Sequence, residues 1–579
     1  MMKKNSGIVM SAFMALSMAV VGCSQPSASP TPAPAPAPTT PEVQPDNNTP
    51  KPGGTVTFAY RSPFKGLLER AYYEGDDDDR ILRFTTEALI GTGDDLKPFP
   101  YMVDWTVSDD KKTFTFTMKN KDIKWHNGDP LTMEDWKYAL EIIAHKDYEG
   151  SRYSNVEMIV GADEYQKGTA KEISGIKITD PYTMSITIKQ PTANFIANVW
   201  SYPAPKKYYE GIAIKDLVNH PKVRQNPIGT GPFKVKKIQP GEFVEMERFD
   251  DYWQGKPLLD GVVYKVIDGK MAASLLKNGE IDMYTIQNSL YDDVAKIDNI
   301  DLIEVDELAY TYIGFKMGHW DAEKKLNIMD RPKYSDKRLR QAMAYAIDRK
   351  ALAKAFEKNK AEPIHAPMPP VSWAKAPDSE LNTYDYNPEK AKQLLDEAGF
   401  KDVTGDGLRE DPQGKKFTIN YDAMSGTEVA EPRAQAILQF WKEVGLDAKL
   451  NGGALKEFNA FYDMVEKDEP SVEVFSAAWG LSADPDPAGL FKATDLWNYS
   501  RWVSEESDKL IAEGVSEKAM DEAVRKDIYV KWQKLVNEEL PSIFLHSRKE
   551  ITAKNKRVQG THVNSASPIN DTHKWWVTK

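Results

Sequence analysis

The sequence predicts an α/β protein of several domains, carried beyond the membrane that it leaves. Three observations lead there. Short β-patterned runs alternate with amphipathic helical runs along the chain after residue 52. The 579 residues include 14 Trp, 26 Tyr and 21 Phe, enough apolar bulk for more than one core. Cys23 is the only cysteine, so packing and hydrogen bonding rather than disulfides must hold the domains together. No repeat of fixed period organises the chain.

Gly53-Gly54 closes a proline-rich stretch, and Thr55–Tyr60 reads as the first strand. Glu74–Asp79 is an acidic run just ahead of Ile81, Leu82, Phe84, Ala88 and Leu89. Carboxylates at a helix start complement the macrodipole, so the run marks a helix N-terminus, with a cation site as the alternative. Thr113–Met118 alternates Phe114 and Phe116 with polar residues, as a half-buried strand does. Trp125 and Gly128 fall in a turn before a helix opened by Thr132, with Glu134 and Asp135 in its first turn. Ile176–Ile178 and Met184–Ile188 pair around the Asp180-Pro181 turn. Gly229, Gly231 and Pro232 mark a close backbone crossing; the third glycine of a dinucleotide loop is missing. Leu339, Met343, Ala346 and Ile347 line one helix face, and Val524, Ile528, Trp532 and Leu535 another that stops before Pro541.

The first 22 residues read as a signal peptide, with Lys3 and Lys4 ahead of a short apolar run that ends in Val20-Val21-Gly22. A small-residue cut site directly before Cys23 resembles the lipobox of bacterial lipoproteins, which implies a diacylglyceryl anchor on the thiol. Acyl chains there would hold a soluble domain on a membrane. Residues 23–52 follow as lipidated cysteine and tether, with ten prolines between Ser24 and Pro52. Removing Lys3 and Lys4 takes the formal charge from −12 to −14, 73 basic against 87 acidic. That balance argues against nucleic acid or an anionic lipid face as the main partner. Export and lipid anchoring place the protein on the outer face of the cell membrane or on a periplasmic leaflet.

Several segments resemble a family when taken together. Asp122–Pro130 (DIKWHNGDP) with Leu131–Ala139 (LTMEDWKYA), then Asn226–Lys234 (NPIGTGPFK) and Phe249–Pro257 (FDDYWQGKP), are similar to hallmarks of the extracytoplasmic peptide-binding proteins of ABC importers. Lys277–Met283 (KNGEIDM), Leu339–Leu352 (LRQAMAYAIDRKAL) and Tyr386–Phe400 (YNPEKAKQLLDEAGF) follow in the family's order. The resemblance to the oligopeptide/dipeptide-binding solute receptors, solute-binding protein family 5, runs from about Gly53 onward. It implies a periplasmic-binding-protein type II-like α/β fold, two lobes with a hinge, in its large three-domain variety. Domain I would take 53–95, 217–315 and 540–579, domain II 96–216 and domain III 316–539. The implied partners are oligopeptides and the transmembrane subunits of an ABC permease, with a monomeric receptor touching the membrane through its lipid only.

In relatives the loop after one apolar strand borders the ligand. That stretch is Val474–Leu490 (VFSAAWGLSADPDPAGL) here, with Trp479, Gly480, Ser482, Asp484 and Asp486 as candidate ligand residues. An aspartate three residues beyond the tryptophan pairs with the peptide α-amino group in relatives, and Ser482 stands at that place. Either Asp484 takes the role or the fixed ammonium anchor is missing. Turn chemistry in a DPDP loop is the structural alternative for Asp484 and Asp486. Tyr310, Tyr312, Trp497 and Trp502 are candidates because aromatics give large contact area at little entropic cost, with core packing as their alternative; Asn498 is a candidate because polar company tilts its cluster toward the cleft.

Asp402, Thr404, Asp406 and Gly407 have the spacing of a calcium loop with Glu410 at position nine, but Gln413 stands where the bidentate glutamate belongs. A plain turn competes with a structural calcium site; no other cofactor is expected. G-x-S-x-G, H-E-x-x-H and G-K-[ST] signatures are absent from the sequence, and no enzyme is expected. The other readings of the same fold are a non-peptide receptor, for a nickel chelate or an oligosaccharide, and a peptide-pheromone sensor.

Overall fold

The computed structural model describes residues 49–578. The signal sequence, Cys23 and the proline-rich stretch up to residue 48 lie outside the described residues.

The chain opens with β1 (Thr55–Tyr60) and α1 (Asp76–Thr85), whose first turn is Asp76 to Asp79. A four-stranded antiparallel sheet follows, from β2 (Val103–Val107), β3 (Thr113–Met118), β4 (Ile176–Asp180) and β5 (Thr183–Thr187), in the order β2-β3-β5-β4. On β3 the alternation lands as the sequence predicts, with Phe114, Phe116 and Met118 buried. They face α2 (Met133–Ala144), where the Thr132 N–H donates to the Asp135 carboxylate at 2.9 Å and caps the helix. Trp136 of α2 is fully buried against Phe116 and donates to the Trp200 carbonyl at 2.6 Å. This sheet, its helix and their loops have a core of their own, drawn from Leu67 to Val223.

Apart from short strands that pair two by two, twelve other strands join one sheet. They are β1, β6 (Phe233–Gln239), β7 (Phe243–Arg248), β8 (Gly261–Val266), β9 (Met283–Ile286), β10 (Ile300–Asp306), β11 (Ala309–Phe315), β12 (Ala361–Pro363), β13 (Thr418–Asp422), β14 (Asp447–Leu450), β15 (Val474–Gly480) and β16 (Ser542–Asn555). The order is β14-β13-β15-β11-β16-β9-β1-β8-β7-β6, with β10 and β12 also on β16. β16 is the shared element: Ser542 to His546 pair with β11, and Lys549 to Asn555 with β10. The chain crosses between the two halves at Asp306–Ala309 and at Ser547–Lys549, the only two β-ribbon joints described between them. Each half has separate apolar clusters, one from Tyr310 to Leu545 and two smaller ones on the β1 side. Among the described residues no helix is long and apolar enough to cross a membrane.

The glycine crossing is as tight as the sequence implies. A Cβ on Gly229 would lie 1.8 Å from the Thr85 carbonyl oxygen, and one on Gly231 2.7 Å from the Thr85 carbonyl carbon. His126 clasps the crossing: Nδ1 accepts from the Gly229 N–H at 3.0 Å, and Nε2 lies 3.0 Å from the Gly231 carbonyl. A carbonyl only accepts, so Nε2 carries the proton of a neutral ring. Burial pushes its pKa down to about 4, in keeping with that tautomer.

Candidate ligand-binding cleft

β1 runs parallel to both β8 and β9, and β13 runs parallel to β15. Their carboxyl ends, where loops leave the sheet, are the places ligands occupy in open α/β sheets. A cavity of about 1060 Å³ opens there, bordered by Arg61 after β1, Asp268 after β8, Gln287 after β9 and Thr427 after β13. Six cationic side chains and six carboxylates line it, so the formal charges of its wall balance. That suits a zwitterion better than a polyanion.

Glu307 borders this cavity, and its neighbour Leu308 borders a second one of about 250 Å³. The second cavity gathers Tyr310, Trp479, Gly480, Ser482, Asp484, Asp486 and Trp497, seven of the residues singled out from the sequence. Tyr312 and Asn498 border a smaller adjoining space of about 20 Å³, room for one water. The Tyr312 hydroxyl there has no partner among the described residues. Trp502 lies apart from both, 4% exposed in the core, where its carbonyl accepts from the Asn498 side chain at 2.7 Å. A further cavity of about 620 Å³, between the Trp125–Thr132 turn and the segment from Pro205 to Ile212, shares no lining residue with the other three.

The strand β15 brings Trp479 and Gly480 to the cleft, and the loop beyond it is held by hydrogen bonds. Ser482 Oγ donates to the Asp484 carbonyl at 3.0 Å. Asp484 is buried and receives Arg525 Nη1 and Nη2, each at 2.7 Å. Its carboxylate is therefore fully engaged by a guanidinium. Asp486 has no such cation; Asn194 Nδ2 donates to its Oδ2 and the Ala488 N–H to its Oδ1, both at 3.1 Å. Burial raises its pKa to about 6, with the Asp484 charge adding to the shift.

The aromatic segment after the loop is anchored from below. Arg501, fully buried and in the left-handed region at φ 56°, donates to Asp468 at 2.8 Å and to the Leu496 carbonyl at 2.7 Å. Lys316 Nζ reaches the same Asp468 oxygen at 2.7 Å, and burial drives its pKa down to about 7 against the pull of that carboxylate. Above this anchor Trp497 stands half-exposed, while the Trp479 ring stacks on Tyr499 at 5.2 Å.

The 402–410 loop lies elsewhere and is closed on itself. Asp402 accepts from the Gly405 and Gly407 N–H groups at 2.6 and 2.9 Å. Glu410 accepts from the Val403 N–H at 2.8 Å and the Thr404 hydroxyl at 3.1 Å. Asp406 accepts from the Leu408 N–H at 2.9 Å. No group of three or more His, Cys, Asp or Glu among the described residues is arranged to hold a metal ion.

Reasoning from sequence missed Arg525, Asn194 and Arg61. Arg61 has a readable signal, since it follows the first strand directly and loops after parallel strands line sites. Arg525 and Asn194 have none, because their partners are 41 and 292 residues away.

A cavity at the carboxyl ends of parallel strands, bordered from two halves joined by narrow β-ribbons, defines a ligand-binding α/β protein. The chain belongs to the bacterial extracellular solute-binding proteins of family 5, whose middle region matches residues 101–499. The resemblance carried by its motifs therefore holds. It is 29% identical over 467 residues to the oligopeptide-binding protein AppA of Bacillus subtilis (strain 168), covering 79% of this chain and 80% of that protein. Lactococcal OppA, solved with an endogenous peptide in the closed conformation, superposes with a TM-score of 0.77 at 27% identity, covering 90% of this chain and 99% of that one. Bacillus subtilis AppA in complex with a nonapeptide gives 0.72 at 26%, covering 92% and 100%.

Proposed function

We propose that the protein captures oligopeptides outside the cell and delivers them to an ABC importer. The observation that carries this reading is the free edge of β15. On one side β15 pairs with β11 as far as Gly480, but on the other β13 reaches only Val474 and Phe475. From Ser476 to Gly480 that edge has no strand beside it and runs to the cleft. An extended peptide can add to such an edge through main-chain hydrogen bonds, whatever its side chains. The balanced charge of the larger cavity fits the two unlike termini of a peptide. The names of the relatives and the peptides in their structures support the same ligand class.

In this reading binding is closure of two halves around the ligand, and the closed form is what the permease recognises. The protein binds and releases without chemistry, as a monomer. Cys23 carries the lipid anchor, supported by the positive start, short apolar run and small residues ahead of it. The test is native mass spectrometry of protein purified without denaturation from cells in rich medium. A ladder of adducts that fragment into short peptides is expected; a single non-peptide adduct would overturn the peptide reading.

A further inference from the structure

A short segment after β5 reaches across to the ligand loop. The Thr192 hydroxyl and the Ala193 N–H both donate to the Val515 carbonyl, at 2.9 and 3.0 Å. One residue on, Asn194 Nδ2 donates to Asp486 in the wall of the smaller cavity. Thr192 and Asn194 are each only 6% exposed, so the donor side of this contact is buried. Its receiving side is organised by Arg525. While its two Nη atoms hold Asp484, its Nε donates to the Gly514 carbonyl at 2.9 Å, next to Val515. Tyr529 donates to the same carbonyl at 3.2 Å and packs where a Cβ on Gly514 would fall, 2.3 Å from its ring.

We propose that Asn194 and Arg525 are positioning residues of the binding cleft: Arg525 presets the Asp486 loop and the Gly514 turn, and Asn194 latches the four-stranded-sheet unit onto them when the cleft closes. The inference rests on the reading that the protein closes around a ligand. It adds the physical means by which the ligand cavity and closure are coupled, since Asp486 belongs to both. Two exposed ion pairs span the same seam, Lys97–Glu522 at 2.7 Å and Lys111–Glu517 at 3.3 Å, but exposed pairs contribute little. The hydrogen bonds of the part-buried Thr192–Asn194 segment carry the latch.

Asn194→Asp makes a decisive probe. The charged groups facing Asp486 are Asp484, Lys492 and Arg525, with Tyr529 beside them; Lys492 also faces Glu157 across the seam. At pH 8 a second carboxylate at position 194 would face Asp486 and repel it. At pH 5 one shared proton restores the hydrogen bond. In the wild type an amide can bond to Asp486 in either protonation state, so closure persists at both pH values. Asn194→Ala has no such rescue.

The experiment compares small-angle scattering and retention of copurified adducts for the wild type, Asn194→Ala, Asn194→Asp and Thr192→Val, with melting temperature as the folding control. At pH 8 the two Asn194 variants should show a larger radius of gyration and lose adduct at least fivefold faster. Thr192→Val should move the same way by less. At pH 5 Asn194→Asp should return to the wild-type radius and Asn194→Ala should not. Equal radii in all four proteins, or a wild type as open as Asn194→Ala, would overturn the latch. The identity of the adducts is read separately by fragmentation, so a non-peptide ligand would defeat the functional reading and leave the latch standing. A wild type without adducts leaves the radii to decide.

Discussion

Asp484 and Arg525, 41 residues apart in the chain, meet in a buried bidentate pair with both hydrogen bonds at 2.7 Å. This pair consumes the carboxylate two residues beyond Ser482 in the wall of the smaller cavity. Removing one partner leaves the other charged and dry, which costs about 3–5 kcal/mol. Arg525→Met should therefore lower stability by about that amount in urea unfolding, and Asp484→Asn by less, because the amide still accepts one hydrogen bond. Equal and negligible losses would mean that the pair is not formed in solution.

A second prediction concerns pH. Lys316 has its pKa pushed down by burial to about 7 from an ordinary 10.5. Between those values the unfolded chain binds a proton that the folded chain does not, so stability rises with pH across that window. The size is on the order of 2 kcal/mol for a buried group of this kind. Lys316→Met should abolish the rise while leaving Asp468 paired with Arg501. Melting temperatures at pH 7 and pH 9.5 for both proteins give the comparison.

Glycine substitutions separate fold from site. Gly229→Ala drives a methyl into the Thr85 carbonyl and should cost about 3 kcal/mol or prevent folding. At Gly480, in the cavity wall, a Cβ meets nothing within 4 Å. Gly480→Ala should keep its stability within about 0.5 kcal/mol and change only ligand retention.

Trp497 is 51% exposed and borders both the 250 Å³ cavity and the small space beside it. Trp497→Ala should leave the melting temperature alone and weaken ligand binding about tenfold, the loss typical of a truncated aromatic contact. Calorimetry with a synthetic nonapeptide measures it.

Calcium gives a further check. The oxygens of Asp402 and Glu410 already serve backbone and hydroxyl donors in their own loop. Adding millimolar calcium, or removing it with chelator, should leave the melting temperature unchanged. A rise of several degrees with calcium would show that the loop reorganises to bind it.

Local chemistry made much of this fold legible in advance. Phe114 and Phe116 announce their strand by alternation, and Asp135 announces a helix start three residues after Thr132. The Gly229 and Gly231 crossing was readable because only a missing Cβ permits it. The candidate loop was found through Trp479, yet its energetics were not. What holds Asp484 is an arginine on a distant helix, and what meets Asp486 is an asparagine in another sheet's loop. Pairings of that kind carry no periodicity and no spacing, so they appear only once the chain is folded. His126 is the same case: one of eight histidines in the sequence, with its role set by two glycines more than a hundred residues away.

The strand Ser542–Asn555 also bears on how the molecule comes to exist. Its first residues complete the sheet holding Tyr310, and its last residues complete the sheet that begins at Thr55. Neither half can zip up its sheet until this late segment has been made, so a growing chain must keep two unfinished edges from sticking to anything else. Pairings that join residues as far apart in the chain as Met283 and Lys554 are entropically costly to close and slow to find. Assembly of the two halves should therefore be timed by one event, the docking of a single ribbon, rather than by either half on its own.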